Sequence, residues 1–291
     1  NAETKKAGTL NGDTGVRWLY LHSGYGVVKI TAIGGGGTTA TADVVSRIPS
    51  SAVGSGNAST RWSFAEWSED RGYPSHVTFY SERLALLRGT QLWLSVVADF
   101  EDFSNRDGAD VTADMAISID IASDQINDAA WVAPGNQLLV GSDGNEFAVS
   151  PLSNSDPLGP ANIEAKQQTA HGSRQVRPVR VNDSLLFVQR AGRKLREIRY
   201  SFDTSSYATN DLTVLSDHIT KGQVVQLAYQ QEPHSVVWSC CNDGSLLGFT
   251  FNREQRVTGW HRHPIGGNEN GVAVESVATI PSPYGDRDEL W

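Results

Sequence analysis

Cysteine is nearly missing from these 291 residues: there are two, adjacent at Cys240 and Cys241. Sequence neighbours cannot staple a small fold as a disulfide framework does. No histidines stand around them at zinc-ligand spacing. On a strand, adjacent side chains point to opposite faces, so one thiol is expected buried and the other exposed. Methionine occurs once, at Met115, and the first residue is Asn1. Asp288-Glu289-Leu290-Trp291 reads as the opening of a strand, so both ends look cut and the chain reads as a segment of something longer. Lysine is scarce, six of 24 basic residues, and 33 acidic residues bring the net charge to −9. That balance argues against a general nucleic-acid binder held by phosphate neutralisation. No apolar run reaches the ~18 residues of a membrane-spanning helix. No basic and then apolar leader is visible at the N-terminus.

Helical periodicity is absent too. Apolar residues at i, i+3, i+4 and i+7 are not sustained anywhere, and the best helix candidate, Ala161 to Ala170, is short. What is present is strand. Met115, Ile117, Ile119 and Ile121 alternate with small or polar residues. Apolar runs of a few residues recur, bounded by Gly, Asn, Asp or Pro. With 39% hydrophobic residues the chain can build a core, in one large or two modest domains.

From Trp67 onward the runs fall into units. One comprises Val77 to Phe79, Leu84 to Leu87 and Leu92 to Leu94. The next comprises Ala130 to Val132, Leu138 to Gly141 and Glu146 to Val149, with a turn at Asp143-Gly144. The third has Pro178 to Val181, Leu185 to Val188 and Leu195 to Phe202. In the fourth are Gln226 to Tyr229, Val236 to Trp238 and Leu246 to Phe251, with a turn at Asp243-Gly244. A last copy starts at Val274 to Ile280 and reaches Trp291. The spacing of about 45 to 50 residues is that of β-propeller blades, four-stranded sheets that must stack on neighbours. A β-sandwich is the competing architecture. Central strands apolar on both faces favour stacked blades. The expected fold is therefore all-β, a propeller of short four-stranded blades over 61–291. Before it, 1–60 form a small β-rich module: Val27 to Ile33, a glycine run, then Thr38 to Ile48. It ends in a Gly/Ser linker, Pro49 to Thr60.

Residues that could carry chemistry are few. Gly34 to Gly37 lacks the strand, helix and Lys-Ser/Thr of a phosphate loop, and reads as a hairpin tip. His261 and His263 share one strand face but want a third metal ligand. Asp143-Gly144 and Asp243-Gly244 read as hairpin turns needing φ > 0 rather than calcium loops. No nucleophile elbow is present. Glu101-Asp102 could mimic a glycosidase pair, but Phe100 and Phe103 suggest a turn anchored by two buried rings. No catalytic, cofactor or metal residue is expected. Charge placement says more. Arg174, Arg177, Arg180, Arg190, Arg193, Lys194, Arg196 and Arg199 form a basic stretch, opposed within it by Asp183 and Glu197. It reads as a solvated hairpin edge or, for its seven arginines, as a subunit contact, with contact to passing DNA as a third reading.

Several stretches are familiar. They are Gly26-Val27-Val28-Lys29-Ile30-Thr31, Trp67 through Arg71-Gly72-Tyr73-Pro74, Asp99-Phe100-Glu101-Asp102-Phe103, and Asn210-Asp211-Leu212-Thr213. Two more are Tyr229-Gln230-Gln231-Glu232-Pro233 through Trp238, and Gly259-Trp260-His261-Arg262-His263. In this order they resemble a family of tail proteins from bacterial viruses, most of all the nozzle (tail tubular protein B) family of short-tailed phages. The resemblance covers Tyr25 to Trp291. It implies a β-propeller body and a ring, expected to be a hexamer. It implies other tail and adaptor proteins as partners, and DNA only as transient cargo in a channel. The place would be the virion, assembled in the host cytoplasm. It implies no catalysis and no cofactor. By the same resemblance, Arg71 to Pro74 should be a turn delivering the first blade strand, Asp99 to Phe103 a corner between blades with its rings in the core, and Trp260 a blade-edge packing residue. A carbohydrate-binding or receptor-binding adhesin module is the alternative, given eight Trp and eight Tyr. A propeller glycosidase is a third.

Overall fold

The structure is a computed structural model. It describes residues 16–21, 24–57, 63–64, 66–68, 71–103, 111–121, 128–153, 155–253, 255–265 and 273–291. The chain divides into two compact units, Asn1–Pro74 and Ser75–Trp291.

In the first unit β1 (Val16–Leu21), β2 (Gly24–Gly34), β3 (Thr39–Ser46) and β4 (Ser63–Phe64) form one antiparallel sheet in the order β3-β2-β1-β4. The glycine run is the tip of the β2–β3 hairpin, a single 3-10 turn at Gly35–Gly37. Its φ values of 59°, 67° and 87° are left-handed, which is why glycines stand there. The presumed linker carries two more such turns, Ser50–Ala52 and Ser55–Asn57; residues 58–60 lie outside the described residues. At the end of this unit Gly72, φ 79°, bridges back to Ser68 in the turn that precedes the next strand.

The second unit repeats one device. Blade 1 is β5 (His76–Tyr80), β6 (Arg83–Arg88), β7 (Gln91–Leu94) and β8 (Ile117–Asp120). Blade 2 is β9 (Ala129–Pro134), β10 (Leu138–Ser142), β11 (Glu146–Ser150) and β12 (Glu164–Thr169). Blade 3 is β13 (Val179–Val181), β14 (Ser184–Val188), β15 (Leu195–Ser201) and β16 (Ser206–Asp211). Blade 4 is β17 (Val224–Gln230), β18 (Val236–Cys241), β19 (Leu246–Asn252) and β20 (Val257–His263). Each is an antiparallel meander whose strands pair in sequence order. A fifth sheet has two described strands, β21 (Thr279–Pro281) and β22 (Asp288–Leu290). Strand β5 lies against β9, β13 against β17, and β17 against β21 and β22, so the sheets stack in chain order. This is the propeller architecture, with no α-helix among the described residues.

The stacking explains the residue pattern. Strands β10, β11 and β14 are buried on both faces. Blades 1 and 2 share Leu87, Leu94, Leu138, Val140 and Phe147. Blades 2 and 3 meet through Trp131, Leu139, Leu185, Phe187 and Ile198. Blades 3 and 4 share Leu186, Val188, Val237, Leu247 and Phe249. On β6 burial alternates instead, and among the described residues Ala85 and Leu87 pack toward blade 2.

Four expectations need correction. Ala161 to Ala170 is not helical: Glu164–Thr169 is β12, half-exposed because it is the outer strand of its blade. Its short polar run had to pair with β11, and tertiary context overrode local propensity. Asp99 to Phe103 is not a corner between blades; it lies within blade 1, in the β7–β8 connection. Its rings are not both in the core. Phe100 is 44% exposed and meets Phe79 edge-on at 5.1 Å. Both cysteines are buried, at 1% and 2% exposure. Blade 4 is covered on both sides there: Cys241 faces blade 3 and Cys240 packs with Leu246 and Val277 under the fifth sheet. Of the two Asp-Gly turns, Gly244 has φ 79°, but Gly144 does not use positive φ. There Ser142 closes the turn instead, its Oγ accepting from Asn145 N at 3.1 Å and donating to Asn145 O at 2.9 Å.

Candidate functional site

The seven arginines named above all belong to blade 3 and its connections, yet they do not form one patch. Side chains alternate across a strand, so β15 sends Arg196 to one face and Arg199 to the other. Arg180 reaches across to blade 2, donating from Nη1 to the Pro134 carbonyl at 3.4 Å. Arg196 donates to Gln189 Oε1 at 2.8 Å. Arg174 donates to Gln223 Oε1 at 3.2 Å, just before β17. Arg193 pairs with Asp217 at 2.9 Å and Arg199 with Asp183 at 3.2 Å. Lys194 pairs with Asp211 at 2.7 Å. Asp211 and Asp217 come from beyond the basic stretch, so the fold neutralises much of what looked unopposed. Arg177 and Arg190 are exposed.

Sequence reading missed the buried charges. Glu146 is fully buried at the start of β11. It accepts from Thr169 Oγ1 at 2.5 Å, Ser173 Oγ at 2.9 Å and the His171 amide at 3.3 Å. Glu197, 2% exposed on β15, accepts from Ser184 Oγ at 2.6 Å and Asn210 Nδ2 at 3.1 Å, and pairs with Arg253 of blade 4. Arg83, 1% exposed at the start of β6, donates to the Ser95 and Met115 carbonyls at 2.5 and 2.7 Å and to the Ala113 carbonyl. These groups stitch strands and connections together. Local sequence shows a glutamate or an arginine; only the fold shows what faces it.

Burial tends to raise the Glu197 carboxyl. The donors Ser184, Asn210 and Arg253, with the Arg253 charge, outweigh it and hold the group below its ordinary value of 4.5. Its stabilisation is therefore complete above that value and lost as pH falls through the lowered folded-state value. Glu197→Gln should cost about 1–2 kcal/mol at pH 7, a modest figure because the Arg253 side chain is 39% exposed. Urea unfolding of both proteins along a descending pH series from pH 7 checks this; the gap should shrink as the medium becomes acid.

His261 and His263 do share a face of β20, with His261 Nδ1 and His263 Nε2 2.5 Å apart. Thr250 Oγ1 lies 3.1 Å from His261 Nε2. Among the described residues no three His, Cys, Asp or Glu side chains gather as a metal site would require. Of the aromatic residues an adhesin would present, Trp93 and Trp131 are 5% and 1% exposed and Trp238 is half-buried, whereas Tyr73, Tyr284 and Trp291 are exposed. Trp260 sits on the outermost strand of blade 4, 4.7 Å from Phe249, and donates to the Leu212 carbonyl at 3.0 Å.

What the molecule offers is a stack of blades, with side chains invested in the joints between them. A family model described as bacteriophage nozzle protein matches residues 74–279, which take in blades 1 to 4 whole. The chain belongs to the bacteriophage nozzle protein family. That family is structural rather than enzymatic, and its members are components of the phage tail. No curated protein matches the chain. Among solved structures it is similar to the β-propeller domain of Myceliophteria thermophila Cps50 (Swd1), at 10% identity and a TM-score of 0.44. That match covers 72% of this chain and 63% of the other, so the chain spans less than two-thirds of that domain's length. It is also similar to a luciferin-regenerating enzyme, at 9% identity and a TM-score of 0.27, over 69% of this chain and 76% of that one. The fold is read from the sheets themselves.

Proposed function

We propose that this nozzle-family chain is a structural element of the phage tail that assembles with copies of itself, in a hexameric ring, and with neighbouring tail and adaptor proteins. The ring is a conduit through which DNA passes during ejection. The small N-terminal module and the propeller are its two working parts, and assembly takes place in the host cytoplasm. The observation that carries this reading is the family match across four consecutive blades. Composition supports it: an excess of acid over base, net charge −9, leaves passing DNA unheld. The exposed Arg177 and Arg190, with the half-exposed Arg193 and Arg199, are the proposed subunit contact. Arginine suits that task because its planar fork pairs well with carboxylates across an interface.

Mass photometry and cryo-electron microscopy of the protein purified from phage particles test the proposal. The expected result is a closed ring with an acidic channel wall. A persistent monomer that binds no tail protein would overturn the assembly, and a mainly basic channel wall would overturn the conduit. Changing Arg177 and Arg190 together to glutamate should weaken assembly at least tenfold while leaving the circular dichroism spectrum intact.

A further inference from the structure

Two loops of the second unit are braced by hydrogen bonds, yet each holds apolar side chains out in solvent. The first joins β16 to β17. Leu212 and Ile219 anchor it on the core shared by blades 3 and 4. Asp211 Oδ1 accepts from Thr213 N at 2.9 Å, and Ser216 N and Ile219 N donate to the Thr213 and Ser216 carbonyls at 2.8 Å. Neighbouring elements hold it too. Trp260 Nε1 donates to the Leu212 carbonyl at 3.0 Å and Arg262 Nη2 to the His218 carbonyl at 2.9 Å. Thr220 Oγ1 donates to the Arg193 carbonyl at 2.6 Å. Between these anchors Val214 and Leu215 are 67% and 93% exposed. Lys221 in the same loop and Arg262 beside it are exposed cations.

The second loop follows β7. Val96 N donates to the Asp102 carbonyl at 2.8 Å, Ala98 N to the Glu82 carbonyl at 2.9 Å, and Glu101 N to Asp99 Oδ1 at 3.3 Å. Here the 44%-exposed Phe100 stands between two exposed carboxylates, Asp99 and Glu101. The charge of the chain divides the same way. Residues 75–128 carry ten acidic and three basic side chains, and 170–223 carry nine basic and five acidic. One chain cannot bring its own two loops together. Tyr80 Oη donates to the Asn136 carbonyl at 3.4 Å, and Arg180 reaches the Pro134 carbonyl, so the first turns of blades 1, 2 and 3 share one end of the stack. The loop after β7 is tied to Glu82 in such a first turn. The loop after β16 is tied to Arg193 in a second turn, between β14 and β15, at the opposite end.

We infer that the two loops meet between copies of this chain. Val214 and Leu215 of one copy pack on Phe100 of the next, and Lys221 and Arg262 face Asp99 and Glu101 across the joint. This rests on the self-assembly proposed above and names the two faces that make it. An apolar pair among cations selects a protein surface over a nucleic-acid backbone, which needs the cations alone. The complementary surface, an aromatic ring among carboxylates, stands on the same chain, so a second copy is the occupant. A contact between unlike faces is heterologous and closes a ring where its rotation permits, whereas a face that met itself would give a two-fold dimer.

Cross-linking and charge exchange in the full natural chain test this, with mass photometry of the unaltered protein as the reference. Leu215→Cys combined with Phe100→Cys should give covalent oligomers on mild oxidation, and neither single cysteine should. The native cysteines are buried and contribute little background. Leu215→Asp should weaken assembly at least tenfold. Glu101→Lys and Lys221→Glu should each weaken it at least threefold, and the two together should return it to within twofold of the unaltered protein. All these side chains are exposed, so the fold is not at stake; circular dichroism checks it. A ring that forms without the cross-link, or with charge reversals that add instead of cancelling, overturns the inference and leaves self-assembly standing. Efficient cross-linking by Leu215→Cys alone would show a face meeting itself and overturn it too. An unaltered protein that stays monomeric overturns the self-assembly reading, and this inference with it.

Discussion

Replacing Arg83 with methionine should destabilise the second unit by roughly 3–5 kcal/mol, since buried hydrogen bonds to a charged group are each worth about 1.5–3 kcal/mol. The guanidinium is 1% exposed and has backbone carbonyls as its partners. Ser95 O lies just after β7 and Met115 and Ala113 just before β8, so one side chain ties down both ends of the long β7–β8 connection. A fourth carbonyl, Leu158 of blade 2, lies 3.4 Å away. Methionine fills a similar length but donates nothing, so buried carbonyls lose their partner in an apolar setting. Burial lowers the Arg83 pKa, and the Asp114 charge partly offsets this. Arginine can be spared some of its basicity without losing its proton. Lysine is therefore no substitute: its single ammonium cannot span carbonyls served by two guanidinium nitrogens, and Arg83→Lys should also destabilise, though less. Urea denaturation followed by far-ultraviolet circular dichroism measures both. A loss below about 1 kcal/mol for methionine would show that water or a shifted backbone takes over the carbonyls.

How far the chain could be read without its fold follows from where the information lies. The blades were legible because a stacked sheet imposes local signs: apolar runs in β10, β14 and β18, turn residues between them, and a steady spacing. The outer strands were harder. Strand β12 is Glu-Ala-Lys-Gln-Gln-Thr, half-exposed and polar, and without the β11 edge beside it the segment passes for a weak helix. Phe100 shows the reverse failure. Phe100 and Phe103, three residues apart, read as core, but Phe100 is 44% exposed on blade 1, where Phe79 and Val77 are more than half exposed. The basic stretch was visible as a run of charge, and its distribution was not. Strand alternation split it over two faces, and Asp211 and Asp217 entered from outside the run. Glu146, Glu197 and Arg83 gave no signal at all, because a buried charge is defined by distant partners: Arg253 is 56 residues from Glu197. The family could be recognised from short ordered motifs, whereas the surface by which copies meet depends on such three-dimensional placement.

Gly141→Ala should be among the most damaging single-methyl additions in the molecule, at about 3 kcal/mol, the upper part of the range for overpacking a core. Gly141 on β10 pairs with Trp131 on β9, and the indole lies across the glycine. An alanine Cβ there would come within 2.2 Å of Trp131 Cε2 and 2.5 Å of Cζ2 and Nε1. The ring has nowhere to go. It is 1% exposed, with Phe187 of blade 3 at a ring-centroid distance of 5.6 Å. Close packing turns a local clash into a shift of the whole joint between blades 2 and 3. The same arrangement recurs in blade 4, where a Cβ on Gly248 would come within 2.1 Å of the His261 ring. That ring borders an open groove and can yield, so Gly248→Ala should cost less than Gly141→Ala. A double-mutant cycle separates the clash from any general intolerance of β10. In a Trp131→Leu background the obstruction is gone, and adding Gly141→Ala should then cost under about 1 kcal/mol, a coupling of roughly 2 kcal/mol. If the alanine costs as much without the indole as with it, the glycine is needed for its backbone and not for the ring above it.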